Sequence, residues 1–168
     1  MNKIVRTLSA LALSASILAS SAISSSAVFG GGVFCYYTTD IRTTVFGAPI
    51  TSYNINGLTV IDAEALMNYG VEVVWHADER KLTIDDLGTG LVTDDAKSGK
   101  LCTSKIENPG QVAGNYYSTD IVTTLNGTPI ESCNLGGRTV IVAEKMLKFG
   151  YSVVWHPDEK MLTIEHIK

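Results

Sequence analysis

The chain has 168 residues, with 13 Lys and Arg against 17 Asp and Glu and a formal net charge of −4. That balance argues against nucleic acid and against anionic lipid as partners, because either needs a basic patch. The length suits about one ordinary domain, but an internal repeat overrides that prior.

Residues 1–27 read as an export signal. Lys3 and Arg6 give a positive start, and residues 8–23 form an uncharged run of Leu, Ala, Ser and Ile. Ser25-Ser26-Ala27 then fits a small-x-small cleavage site. Cleavage is placed after Ala27, with Ala22 as the alternative. The apolar run is short for a span of about 20 residues and is rich in Ser, which argues against an uncleaved anchor. Gly32-Val33-Phe34 ahead of Cys35 is not a lipoprotein-type box. The expected address is secreted or cell surface, with no membrane association after cleavage. Without Lys3 and Arg6 the mature chain keeps 11 cations against 17 acids, a formal −6.

Residues 28–35 are a Gly-rich, flexible lead-in. A first unit covers 36–87, turn and linker composition covers 88–115, and a second unit covers 116–168. The units align without a gap at an offset of 80, and 28 of 52 positions are identical, which requires a duplicated fold.

Within each unit the pattern predicts three strands, a helix and two strands. The first strand spans 40–45, with Ile41, Thr43 and Val45 on one face. Phe46-Gly47 turns the chain, and its counterpart Asn126-Gly127 is a strong hairpin dipeptide. Strands follow at 48–53 and 58–61. Asp62 is placed to cap a short helix, whereas Val142 in the second copy is not. Ala63, Leu66 and Met67 share a helical face, as do Ala143, Met146 and Leu147. Gly70 and Gly150 suit the left-handed position that ends a helix.

The densest signal is Gly70-Val71-Glu72-Val73-Val74-Trp75-His76, repeated as Gly150-Tyr151-Ser152-Val153-Val154-Trp155-His156. Alternation puts Val73 and Trp75 on one face, and Val153 and Trp155 likewise. An indole brings about 150–250 Å² of mostly apolar surface, so Trp75 and Trp155 are expected to plug the core over the helix. Leu82 and Ile84, and Leu162 and Ile164, return to the same core. The expected class is α+β: two tandem repeats, each a small antiparallel sheet of about five strands packed on one short helix.

The order N-G-x-P-I, G-x-T-V-I-x-A-E and G-x-x-V-V-W-x-x-D-E-x-x-L-T-I resembles the copper amine oxidase N-terminal-like domain, or stalk domain. Asn126-Gly127, Gly137 to Ile141, Gly150, Val153-Val154-Trp155 and Leu162-Thr163-Ile164 carry the likeness, with their partners in the first copy. The resemblance implies an antiparallel sheet curled on one helix, in a bacterial exported protein carrying tandem units. It does not imply copper, because the family's copper ligands and modified tyrosine belong to a separate catalytic domain. Asn68-Tyr69 is followed by Gly70 and Asn115-Tyr116 by Tyr117, so neither has the cofactor tyrosine's setting. His76 and His156 stand where the family often has an acid.

No catalytic set is visible, and no cofactor is expected. His76 and His156 read mainly as turn residues. As metal ligands they are weak candidates, each with a single Asp two residues on. Glu64 and Glu144 read as acids favouring the positive end of a helix rather than as general bases. Three cysteines leave at least one unpaired, and Cys35–Cys102 is the candidate disulfide. The expected role is a non-catalytic structural or binding module whose partner is a protein or a cell-wall polymer. The alternative is a small metal-binding protein using His76 and His156.

Overall fold

The structure, a computed structural model, describes residues 33–103 and 108–167. The export-signal reading and most of the lead-in fall outside the described residues. The first copy contributes β1 (Val33–Tyr37), β2 (Arg42–Val45), β3 (Ala48–Ile50), β4 (Ser52–Ile55), β5 (Leu58–Asp62), a 3₁₀ helix (Glu64–Tyr69), β6 (Val71–His76) and β7 (Lys81–Asp86). An α-helical turn (Asp94–Lys97) follows. The second copy contributes β8 (Val112–Tyr117), β9 (Val122–Leu125), β10 (Thr128–Ile130), β11 (Ser132–Leu135), β12 (Arg138–Val142), a second 3₁₀ helix (Ala143–Phe149), β13 (Tyr151–His156) and β14 (Met161–His166).

Local chemistry sets these boundaries. Phe46 and Gly47 both have positive φ (49° and 77°), as do Asn126 and Gly127 (50° and 74°). Two left-handed residues in a row match the twist of the strands they join. The strand expected over 48–53 is instead two. Ile50 pairs with Thr43, whereas Ser52 pairs with Ile61. Thr51 is therefore the point where the chain leaves one sheet and enters another.

The sheets do not respect the boundary between copies. β1, β4 and β5 of the first copy close an antiparallel six-stranded barrel with β8, β11 and β12 of the second. The closing pairs lie on an approximate two-fold axis. Ile61 faces its own counterpart Ile141 in the β5–β12 pair, and Cys35 faces its counterpart Asn115 in the β1–β8 pair. Two mixed sheets flank the barrel, in the orders β10-β9-β7-β6 and β13-β14-β2-β3. Each joins two strands of one copy to two of the other through a parallel contact, β7 with β9 and β14 with β2.

The expected α+β class is thus overturned. Strand accounts for 51% of the structure and helix for 13%, and no sheet belongs to one copy packed on its own helix. The physical reason is that β7 and β14 share the same central Leu-Thr-Ile, so β2 has two matching edges to join, and the structure uses the strand from the other copy. The main core is correspondingly shared. Val45, Ile50 and Leu66 of the first copy pack in one cluster with Met146, Tyr151 and Ile164 of the second. A smaller cluster fills the barrel, including Ile55, Val60, Tyr116, Cys133 and Val142.

Two further expectations need correction. The helices are 3₁₀, so their buried face repeats every three residues. Ala63, Leu66 and Tyr69 are buried, while Met67 and Leu147 are exposed. Trp75 and Trp155 are not core plugs either, being 47% and 41% exposed. They share a strand face with Val73 and Val153, which do pack against the core. However, β6 and β13 are edge strands, and each Trp sits near the end of one, opposite a core residue of the neighbouring strand (Leu82 or Leu162) but itself largely exposed. Gly70 and Gly150 end the 3₁₀ helices in left-handed conformation, as expected (φ 79° and 90°).

If the copies form one body, a core deletion on the axis weakens both together. Ile61→Ala should cost about 2–5 kcal/mol in chemical denaturation, with one transition retained. Two separate transitions, one of them unmoved, would contradict the shared core.

Candidate functional site

A duplicated fold offers an internal control: features that the fold requires recur in both copies. Glu64 accepts hydrogen bonds from the Thr139 N–H through both carboxylate oxygens (3.0 and 3.1 Å), and Glu144 Oε1 accepts from the Thr59 N–H (2.9 Å). Each acid thus ties its own 3₁₀ helix to a barrel strand of the other copy, a role that sequence reasoning missed. Arg80 pairs with Asp120 at 2.5 Å, and Lys160 pairs with Asp40. These contacts hold both Asp carboxyls below their ordinary range, chiefly through the hydrogen bond from Arg80 or Lys160. His76 Nε2 lies 3.2 Å from Thr83 Oγ1, and His156 Nε2 lies 3.2 Å from Thr163 Oγ1. The two histidines stand on edge strands of different sheets. Among the described residues no three His, Cys, Asp or Glu are grouped to hold a metal.

The cysteines do not recur, and all three are free. Cys35 is exposed on β1, and Cys102 is half-buried beyond the α-helical turn. Cys133 lies inside the barrel, where burial first and the Glu131 charge second push its thiol up to about 12. It stays protonated and inert at neutral pH.

Four of the positions that differ between the copies gather in one place. Asp62 corresponds to Val142, Arg138 to Leu58, Thr51 to Glu131, and Ala65 to Lys145. The four first-named residues line one cavity of about 320 Å³ at a mouth of the barrel. Val140 and Leu135 of the barrel cluster form its floor, with Tyr53 beside them. Leu101 and Thr103, from the segment between copies, add a wall. The Thr103 N–H donates to Thr51 Oγ1 at 2.8 Å, and the Thr51 hydroxyl lies 3.3 Å from the Leu101 carbonyl. At the related place in the second copy, Lys145 and Glu131 bridge each other instead, half-buried.

Asp62 is the centre of this cleft. Its Oδ1 accepts from the Ala65 N–H (3.1 Å), which is the cap read from the sequence, and its Oδ2 meets Arg138 Nε at 2.7 Å. Its side chain is only 12% exposed. Burial raises its pKa to about 6, and a hydrogen bond to Glu64 and that residue's charge add to the rise. Arg138 pulls the other way without prevailing. The folded state therefore holds a proton that the unfolded chain has lost between pH about 4 and 6, and stability falls as pH rises through that window. The penalty at neutral pH is on the order of 2–3 kcal/mol. A buried acid whose ionisation is disfavoured, at a position where the other copy has Val142, makes this cleft the candidate site.

Comparison with protein-family models, with curated proteins and with solved structures finds no match for this chain. No helix among the described residues is long and apolar enough to cross a membrane. In the sequence, 62/142 and 58/138 are two among many positions at which the copies differ, and no local pattern sets them apart. The cleft becomes legible only once the fold sets Asp62 opposite Val140, two residues along β12 from Arg138.

Asp62→Asn keeps the acceptor that caps Ala65 and removes the titration. Its stability relative to the native chain should improve by about 2–3 kcal/mol between pH 4 and pH 7.5 in urea denaturation. Parallel pH profiles would show that Asp62 ionises freely. Glu144→Ala leaves the Thr59 N–H without its acceptor and should cost about 1–3 kcal/mol at both pH values.

Proposed function

We propose that this chain is a non-catalytic exported binding module of the cell envelope or extracellular space. Its ligand site is the cleft around Asp62, Glu64 and Arg138. The observation that carries this reading is the one-sided construction of the cleft. Half of the molecule closes the site with a Lys145–Glu131 bridge, and the other half leaves about 320 Å³ open beside a carboxylate that costs stability. The volume is at the small end for ligand pockets, so it suits a small molecule or one projecting group of a larger partner. A secreted protein or a cell-wall polymer is the partner class. The export signal in residues 1–27 supports the address. The likeness to the amine oxidase stalk domain supports a module without chemistry of its own, and it rests on the residue pattern alone.

The fold provides its own blocking variant. Thr51→Glu with Ala65→Lys transplants the bridged pair of the second copy into the open cleft. The variant should fold with native dichroism and thermal midpoint. It should bind solubilised cell-wall fragments or secreted proteins of its host at least tenfold more weakly than the native chain in parallel titrations, a loss of about 1.4 kcal/mol. Equal binding by the filled variant would move the ligand site elsewhere. Turnover of a glycan, peptide or amine substrate by the native chain would make it an enzyme.

A further inference from the structure

The charges in the cleft do not balance. Among the described residues its charged lining groups are Asp62 on β5, Glu64 on the first 3₁₀ helix and Arg138 on β12, with the Tyr53 phenol on β4 the other titratable group. Two carboxylates thus face one guanidinium. That guanidinium is 61% exposed, so water screens it, whereas the Asp62 side chain is largely buried. Asn68 spends its Nδ2 on the Ala65 carbonyl (3.3 Å), which leaves its Oδ1 as the acceptor. Met67 and Leu101 give the cleft an apolar side.

We infer that the cleft takes a small organic cation bearing N–H donors, a protonated amine or guanidine on a short apolar stem, and that the ligand supplies the positive charge the site lacks. The inference rests on the cleft being the ligand site, and it names the chemistry of what enters. The cation's N–H groups hydrogen-bond to Asp62 and Glu64, and its stem lies against Met67 and Leu101. An anion would meet the excess carboxylate, and a neutral polar group would leave Asp62 uncompensated. The raised pKa of Asp62 adds a second consequence. Below pH about 6 the entering cation must displace the carboxyl proton to water, so affinity falls as pH falls and levels off above that point.

The test uses the mature chain in amide-resolved NMR titrations with propylammonium, tetramethylammonium, propanol and propionate. Propylammonium should shift the Ala65 and Thr139 amides saturably, with affinity about tenfold weaker at pH 5 than at pH 7. Tetramethylammonium, which has no N–H, should bind at least tenfold more weakly. Asp62→Asn should abolish both the affinity and its pH dependence. Arg138→Leu carries the residue that the first copy has at the matching position, Leu58, and should tighten propylammonium binding at pH 8. Preference for propionate or propanol, a pH-independent affinity, or no response to propylammonium would overturn the inference. The cleft itself is judged separately, because the bridged Thr51→Glu, Ala65→Lys variant reads it out with natural fractions of any charge.

Discussion

The structure depends on the pairing of β5 with β12. Ile61 meets Ile141 across an approximate two-fold axis, and the flanking pairs Val140 with Asp62 and Val142 with Val60 continue the register. This contact gives each copy half a barrel that only the other copy can close. It brings Glu64 and Glu144 within reach of the Thr139 and Thr59 amides on the partner half. It also sets β2 beside β14 and β9 beside β7, so both outer sheets are shared. A 52-residue unit buries too little surface to be comfortable alone. Interlocking two such units gives one large core in place of two marginal ones.

The same symmetry separates the contacts that both halves share from those that only one half has. Glu64, Glu144, the cross-copy ion pairs and the His–Thr contacts occur twice and serve the fold. Asp62 and Arg138 occur once. Their partner positions hold Val142 and Leu58, which fit the same architecture without charge. The segment between the copies packs on the first side through Thr103 and Thr51 and adds a wall to the cleft. The raised pKa of Asp62 shows what the arrangement costs: a buried acid held next to a second acid, compensated in part by one exposed arginine.

Much of this was legible in the sequence. The repeat, the tight turns, the left-handed glycines and the Asp62 cap follow from residue types at fixed spacing, and the structure contains them. The pairing of strands did not follow. Leu82-Thr83-Ile84 and Leu162-Thr163-Ile164 are the same three residues, so no local signal tells β2 which of them to join. Trp75 and Trp155 misled for a related reason. Alternation places them on the core face, but burial depends on the strand's position in its sheet, and an edge is not visible in one strand's pattern. Met67 and Leu147 leave the core because the helices repeat every three residues, whereas their spacing fits a 3.6-residue period.

The central claim is that each outer sheet joins strands of both copies, and backbone contacts in solution test it most directly. In nuclear Overhauser spectra of the mature chain, the Phe46 amide, which donates to the Ile164 carbonyl at 2.9 Å, should lie beside β14 of the second copy. The Asn126 amide, which donates to the Ile84 carbonyl at 2.8 Å, should lie beside β7 of the first. Contacts from Phe46 to Ile84 and from Asn126 to Ile164 would mean that each copy folds on itself, and would contradict the account.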